Sequence, residues 1–315
     1  MEGELRLREV LKYLGVARSS WYAGLKPKAE RKRPGPTAKP VPPELATRII
    51  EAAHSYPWWG YKRVAVVLRR QGVKVSNKQV WRVYQAGGLL HKRRRARPAE
   101  LYQALKLYEL LPQGPNELWQ ADVTYIHIPG HGWWYAVTVI DYYSRYLLAA
   151  YLTASFTAVD VGYAMDLARM EAERLCGPLA KVPFLVTDNG SSFLARRFQQ
   201  QIRGQFAHVR IRYRTPTQLG LLERFHETLK QEEVYWQLYQ DPAQARESLA
   251  VFRERYNQLR PHWALLPAGG GDVLTPADVY IKGMKTELPK WQHWAKEAKR
   301  KLDEQLQLQA LPSAA

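Results

Sequence analysis

The chain has 315 residues, 46% of them hydrophobic, with 11 Trp and 19 Tyr. That is enough for two or three folded domains and excludes a disordered chain. The net charge of +18 is unevenly placed: residues 1–112 hold 24 Lys and Arg against 8 Glu and no Asp, and the remainder is close to neutral.

Such an excess in the first third implies a polyanionic partner. Nucleic acid is favoured over an anionic membrane surface, because the basic segments carry helix-turn-helix patterns rather than one continuous basic amphipathic helix. Cys176 is the only cysteine, which excludes an intrachain disulfide and a cysteine-based zinc site and fits a reducing cytoplasm. The first residues are charged, without the apolar region of a signal peptide, and no apolar run approaches the ~18 residues of a membrane span.

Residues 1–25 read as a small helix-turn-helix unit. Leu7, Val10, Leu11 and Leu14 make one helical face, Gly15 breaks it, and a short second helix carries Arg18. The unit reads equally as a DNA-reading element or as a basic hairpin that packs on a partner. Residues 26–43 are a Pro- and Lys/Arg-rich linker.

Residues 44–97 form a second helix-turn-helix domain ending in a basic arm. Helices are predicted from about Glu44 to His54, from Tyr61 to Gln71 with Val64, Val67 and Leu68 inward, and from a Ser76 N-cap to Ala86. The third turns Val80 and Val83 inward and Lys78, Gln79 and Arg82 outward, and is the candidate recognition helix. Lys62, Arg63 and Lys74 add cations around it, and the arm places five cations in six residues, with Lys92, Arg93, Arg94 and Arg95 at its start.

After a linker over 98–115 the texture changes. Residues 116–260 are predicted to form an α/β domain with strands at Leu118–Ile128, Trp133–Ile140 and Arg145–Leu152. There follow a helix at Thr157–Leu175, a short buried strand at Phe184–Thr187 and a helix at Ser192–Ile202. A strand at Val209–Arg214 and helices at Leu222–Tyr239 and Ala243–Asn257 complete the domain. The order βββαβαβα is that of a ribonuclease-H-like core with a mixed sheet and helices on both faces. Residues 261–315 form a tail, with a helix start at Thr275–Pro276 and a charged helix from about Pro289 to Leu308.

Three carboxylates stand out in this core. Asp122 lies mid-strand between Ala121 and Val123, where an unpaired carboxylate is costly. Asp188 ends a buried strand, and Glu223 opens an amphipathic helix with His226, Glu227 and Lys230 on about the same face. Adjacent strands and a following helix would bring Asp122, Asp188 and Glu223 to one edge of the sheet. Three such carboxylates can hold two Mg²⁺ about 3.5–4 Å apart, the arrangement for in-line phosphoryl transfer. Lys230, two turns past Glu223, points a cation along the same edge, and Arg224 adds another. Asp141 is read as a turn support and His226 as a structural hydrogen-bonding group.

The blocks around Trp119–Thr124, Val186–Ser191 and Glu223–Lys230 resemble those of the retroviral-integrase-like DDE recombinases. Tyr256–His262 followed by Thr275–Pro276, and His54–Arg63 with Val75–Val80, are similar to segments of bacterial insertion-sequence transposases of the IS-three family, OrfB type. The resemblance covers about residues 8–282. It implies Asp122, Asp188 and Glu223 as the triad, Lys230 as a DNA contact, and Mg²⁺ or Mn²⁺ as cofactor. It further implies cleavage and 3′-hydroxyl strand transfer at terminal inverted repeats. Double-stranded element ends and target DNA are the expected partners, a homo-oligomer the expected form on DNA, and a small upstream-frame protein or fusion a further partner. The expected location is the cytoplasm, on the bacterial nucleoid. Two departures stand out: 34 residues separate Asp188 from Glu223 rather than the usual 35, and Leu221–Leu222 replaces a more usual polar pair. A domesticated, catalytically silent DNA-binding protein and a ribonuclease-H-like nuclease are the alternative readings.

Overall fold

The computed structural model describes residues 7–25, 40–91, 112–210 and 220–287. The chain divides into two compact units, Met1–Pro42 and Pro43–Ala315. In the first, α1 (Leu7–Tyr13) and α2 (Arg18–Leu25) are joined through Gly15, and Leu11 is its one buried hydrophobic side chain among the described residues. Arg18 lies over the Tyr22 ring, 5.8 Å from its centroid.

The second unit begins with three helices, α3 (Pro43–Ser55), α4 (Tyr61–Arg70) and α5 (Asn77–Ala86). The α5 start is fixed by a reciprocal capping box: Ser76 Oγ accepts from the Gln79 backbone, and the Gln79 side chain accepts from the Ser76 N–H. Gln79 therefore serves the cap rather than projecting freely, as the sequence had suggested. The predicted inward residues of α4 are buried, but so are Ala65 and Val66. Five consecutive buried residues cover the full circumference of a helix, so the middle of α4 is enclosed while Lys62 and Arg70 at its ends stay exposed.

The α/β domain carries a five-stranded sheet in the order β3-β2-β1-β4-β5. β1 (Leu118–Ile128), β2 (Gly132–Asp141) and β3 (Leu147–Thr153) form an antiparallel meander. β4 (Phe184–Thr187) and β5 (Ala207–Arg210) are parallel to β1. With helices on both faces, this is a ribonuclease-H-like topology.

Alternation along the strands splits the core into two layers. Trp119, Ala121, Val137 and Val139 pack with α6 (Ala158–Cys176), α7 (Ser191–Leu194) and α8 (Arg196–Ile202). Leu118, Ile126, Ile128 and Ile140 pack with α9 (Gly220–Glu232) and α10 (Pro242–Glu254).

Several boundaries differ from the sequence expectation. The predicted Ser192–Ile202 helix breaks at Ala195, where ψ is 135°, and the Gln199 side chain takes up the Phe193 carbonyl at 2.6 Å. The helix expected to run to Tyr239 stops at Glu232. Glu233 leaves the helix at φ −137°, ψ −71°, its carboxylate held by Arg255 at 2.8 Å and by Ser248, and one 3₁₀ turn follows at Val234–Trp236. The last predicted strand sits earlier, at Ala207–Arg210; residues 211–219 lie outside the described set.

The segment after Pro261 joins the core. Thr275 caps α11 (Pro276–Tyr280), Leu265, Leu274 and Val279 form a small cluster with Tyr143, and Tyr280 stacks on Tyr146 with centroids 4.5 Å apart. The helix expected over 289–308, the 98–111 linker and most of 26–43 lie outside the described residues.

Candidate active site

Asp122 sits on the long β1 strand, paired with β2 and two residues past the end of its pairing with β4. The tight turn between Ile128 and Gly132 sets the hairpin register and puts Asp122 opposite Thr138. Thr138 Oγ1 donates to the Asp122 carbonyl at 3.2 Å and pairs with His226 Nε2 at 2.8 Å. The other ring nitrogen of His226, Nδ1, stands 3.7 Å from Asp122 Oδ2. That distance is too long for a hydrogen bond. Nor is it an ion pair: burial, and then the Lys230 charge, hold the imidazole down at about 4, so it is neutral near pH 7. His226 thus makes the structural hydrogen bond expected of it, while also walling the Asp122 carboxylate.

Asp188 follows the last residue of β4. Its Oδ1 accepts the Gly190 N–H at 2.9 Å, which folds the carboxylate back over its own turn. A Cβ at Gly190 would stand 2.9 Å from that oxygen, so a side chain there would push the Asp188 carboxylate from its present place. The turn is held from below by Thr187, whose hydroxyl lies 2.9 Å from His208 Nε2 on β5. Glu223 projects from the first turn of α9 and is exposed.

These three groups form one electrostatic unit. Burial pushes the Asp122 carboxyl up to about 7, against the downward pull of its own Val123 N–H, and the Asp188 and Glu223 charges push the same way. Ionisation of Asp122 is thus disfavoured by burial and by like charge, with no matched cation to offset either. Among the described residues no three His, Cys, Asp or Glu side chains have closed into a metal cage. The donor set nonetheless suits a hard cation: all oxygen, mutually repelling, with Asp122 lacking a counter-charge.

The other sequence-predicted residues separate into groups. Lys230 is half-buried on α9, close enough to His226 to act on its ring. Arg224 is exposed, 3.7 Å from Glu227. Lys62, Lys74 and Lys78 are exposed, and Arg82 is partly buried on α5. Arg18 is exposed on α2 in the first unit. Lys92, Arg93, Arg94 and Arg95 lie outside the described residues.

Arg63 requires a correction. Its guanidinium turns inward to Glu232 at 3.5 Å, beside Trp59 and Arg260, and burial lowers its pKa to about 10. A cation enclosed with a buried carboxylate is not presented to a phosphate. Asp141 supports its turn as predicted, accepting from Ser144 N–H and hydroxyl and from Asn116 N–H at 2.5–2.8 Å. Thr138 was missed by sequence reasoning: the predicted strand start at Trp133 sets Val139 opposite Asp122, and the observed start at Gly132 shifts the register by one to Thr138.

Comparison with known proteins gives the class. Two family models, both described as integrase core domain, match residues 112–216 and 204–267, and an HTH-like domain matches residues 43–97. The chain is 27% identical over 280 residues to the insertion element IS407 uncharacterized 31.7 kDa protein of Burkholderia multivorans, covering 89% of this chain and 92% of that one. It is 26% identical to the transposase for insertion sequence element IS904 of Lactococcus lactis, over 77% and 96% of the two chains. It is also 26% identical to transposase InsF for insertion sequence IS3A of Escherichia coli, over 64% and 70%. Among solved structures, the HTLV-2 integrase catalytic core domain in complex with magnesium matches with TM-score 0.40 and 20% identity, over 53% of this chain and 98% of that one. An integrase-type core behind an HTH-like domain defines a DNA transposase. The integrase core and HTH-like matches, with insertion-sequence transposases among the relatives, support an IS-three-family transposase with an integrase-like core.

Proposed function

We propose that Asp122, Asp188 and Glu223 are the DDE triad of this transposase, cutting DNA at the element's terminal inverted repeats and joining the freed 3′-hydroxyl to another phosphodiester. The observation that carries the reading is the charge on Asp122: a strand-borne carboxylate, mostly buried, pushed up to about 7 with Asp188 and Glu223 acting on it. The buried Glu232 is matched instead, by Arg260. Two divalent cations, Mg²⁺ or Mn²⁺, would supply activation of the attacking hydroxyl and stabilisation of the leaving oxygen. Asp122 and Asp188 would hold them from the sheet and Glu223 from α9.

Gly190 keeps the Asp188 turn tight, and neutral His226 fixes the wall beside Asp122 without competing as a cation. Lys230 and Arg224 contact the phosphates nearest the scissile bond. Lys78 and Arg82 on α5, with Lys62 and Lys74, hold the repeat, and Arg18 and the Lys92–Arg95 arm extend the contact along the backbone. Two ends must meet, so the working form is a homo-oligomer on DNA, in the cytoplasm at the nucleoid, with an upstream-frame protein or fusion as a possible component.

The test is cleavage and strand transfer on labelled duplex carrying the DNA that flanks the gene, with Mg²⁺, comparing wild type with Glu223→Gln while binding is measured in parallel. Activity lost with binding kept supports the triad. Equal activity in both proteins refutes it.

A further inference from the structure

We infer that α4 is a clamp that joins the recognition helix to the catalytic helix, with Glu232, Trp59, Arg69 and Asp272 as positioning residues that fix the distance between the bases held and the bond cut. The inference rests on the functional reading above, but its central test does not depend on cleavage.

Both ends of α4 are fastened to the α/β domain. Just before the helix, Trp59 Nε1 donates to Glu232 Oε2 at 3.0 Å, and from its first turn Arg63 reaches Glu232 Oε1 at 3.5 Å. Arg260 closes the other side of the same carboxylate with three contacts of 2.9–3.1 Å. Glu232 is the last residue of α9, the helix that opens with Glu223.

At the far end, Arg69 grips Asp272 with a two-pronged contact of 2.6 and 2.5 Å. Arg70 donates to Asp278 of α11 at 2.6 Å and to the Val273 carbonyl at 3.2 Å. Between these ends Val64 to Leu68 are all buried.

The same residues fix α5. Arg69 Nη1 reaches the Val75 carbonyl and Asn77 Oδ1, each at 3.2 Å, at the start of the recognition helix. Near its other end the Tyr84 hydroxyl donates to the Trp59 carbonyl at 3.3 Å. Fork-shaped guanidinium–carboxylate contacts are directional, so they set orientation as well as proximity. Domains joined by a small polar interface otherwise move freely. Here α5 and α9 are both referenced to α4, so displacement of one is felt by the other.

The experiment places spin labels at the native Cys176, which is exposed on α6, and at Gln85→Cys on α5. The label-to-label distance distribution is then measured in full-length protein without DNA. One narrow distribution is expected in the otherwise wild-type chain, a broadened one in Asp272→Arg and in Arg69→Gln, and a narrow one again in the exchanged pair Arg69→Asp with Asp272→Arg. On the labelled flanking duplex with Mg²⁺, Asp272→Arg should reduce cutting at the wild-type position by at least about tenfold and spread cuts to neighbouring phosphates. Its nicking of non-specific DNA should stay near normal, and the exchanged pair should restore the position.

A broad distribution in the wild-type background, or one unchanged in both single variants, overturns the clamp. So does an unchanged cut position in a variant whose distance has broadened. A narrow distribution that broadens and recovers, in a protein that cuts nothing, supports the clamp and counts against the proposed function instead.

Discussion

The two ends of α9 carry acidic residues under opposite regimes. Glu232 is buried, and its carboxylate, which burial alone would raise, is pulled below the usual range by Arg260, Arg63 and Trp59. Glu223 is exposed in the first turn, and its charge and that of Asp188 add to the larger effect of burial in raising Asp122 to about 7. One helix thus holds a satisfied ion cluster at its C-terminal end and an unsatisfied charge cluster at its N-terminal end. Satisfied buried charge maintains the fold, whereas concentrated like charge beside a groove costs stability and is retained for chemistry.

The strongest way to break the comparison is to remove a carboxylate at each end. Glu232→Ala leaves two enclosed guanidinium groups without a partner and should cost about 3–5 kcal/mol of folding stability, read by urea unfolding. Glu223→Gln should leave stability unchanged or slightly raised, because it removes a repulsive charge. Its effect falls on turnover, with a loss of about 100- to 1000-fold in cleavage and retained DNA binding. If Glu223→Gln destabilises the protein as much as Glu232→Ala, the two ends do not differ in kind.

A smaller effect sharpens the contrast through pH. Asp122 has its folded pKa near 7, above its unfolded value of about 4. An acid with a raised pKa binds its proton more tightly when folded, so its contribution to stability falls as pH rises from about 4 to about 7. Asp141, raised to about 6, acts in the same direction. Glu232 and Asp278 have lowered pKa values; their contribution is complete above the unfolded carboxylate range and is lost as pH falls from there through their lower folded values. In chelator-treated protein, Asp122→Asn should therefore melt higher than wild type at neutral pH and converge with it toward about pH 4. Parallel melting curves over that window would remove Asp122 from the charge cluster.

The contrast was only half visible in the sequence. β1 and β4 were legible to the residue, because strand alternation and flanking turns fix them locally. The proposed carboxylates stood out because an Asp between Ala121 and Val123 is costly unless paired or metal-bound, and another follows an apolar run. The role of Glu232 was not legible, because its partners lie 28 residues ahead at Arg260 and 169 behind at Arg63. Arg63 was misread for the same reason: a cation in a basic domain looks like a phosphate contact until its distant carboxylate is found. The ends of α9 and the break at Ala195 were equally opaque, since side chains from other elements decide them. Local pattern thus revealed the groups left unpaired, and only the folded chain revealed those that were paired.

The smallest expected effect concerns α5, where the same distinction separates the cations of one domain. Arg63, Arg69 and Arg70 are engaged by carboxylates of the α/β domain, whereas Lys78 is exposed on the α5 surface. Lys78→Ala should therefore weaken binding to the flanking duplex by about fivefold, reduce the salt dependence of that binding by about one counterion, and leave the unfolding curve unchanged. Arg69→Gln should do the reverse in kind, altering the distance between α5 and the catalytic domain while the affinity of α5 for DNA backbone stays near normal. Binding isotherms at several salt concentrations, run beside urea unfolding for both variants, separate the two. If Lys78→Ala leaves affinity and salt slope at wild-type values, α5 is not the helix that meets the repeat, and the cations that do so lie elsewhere in the basic first third of the chain.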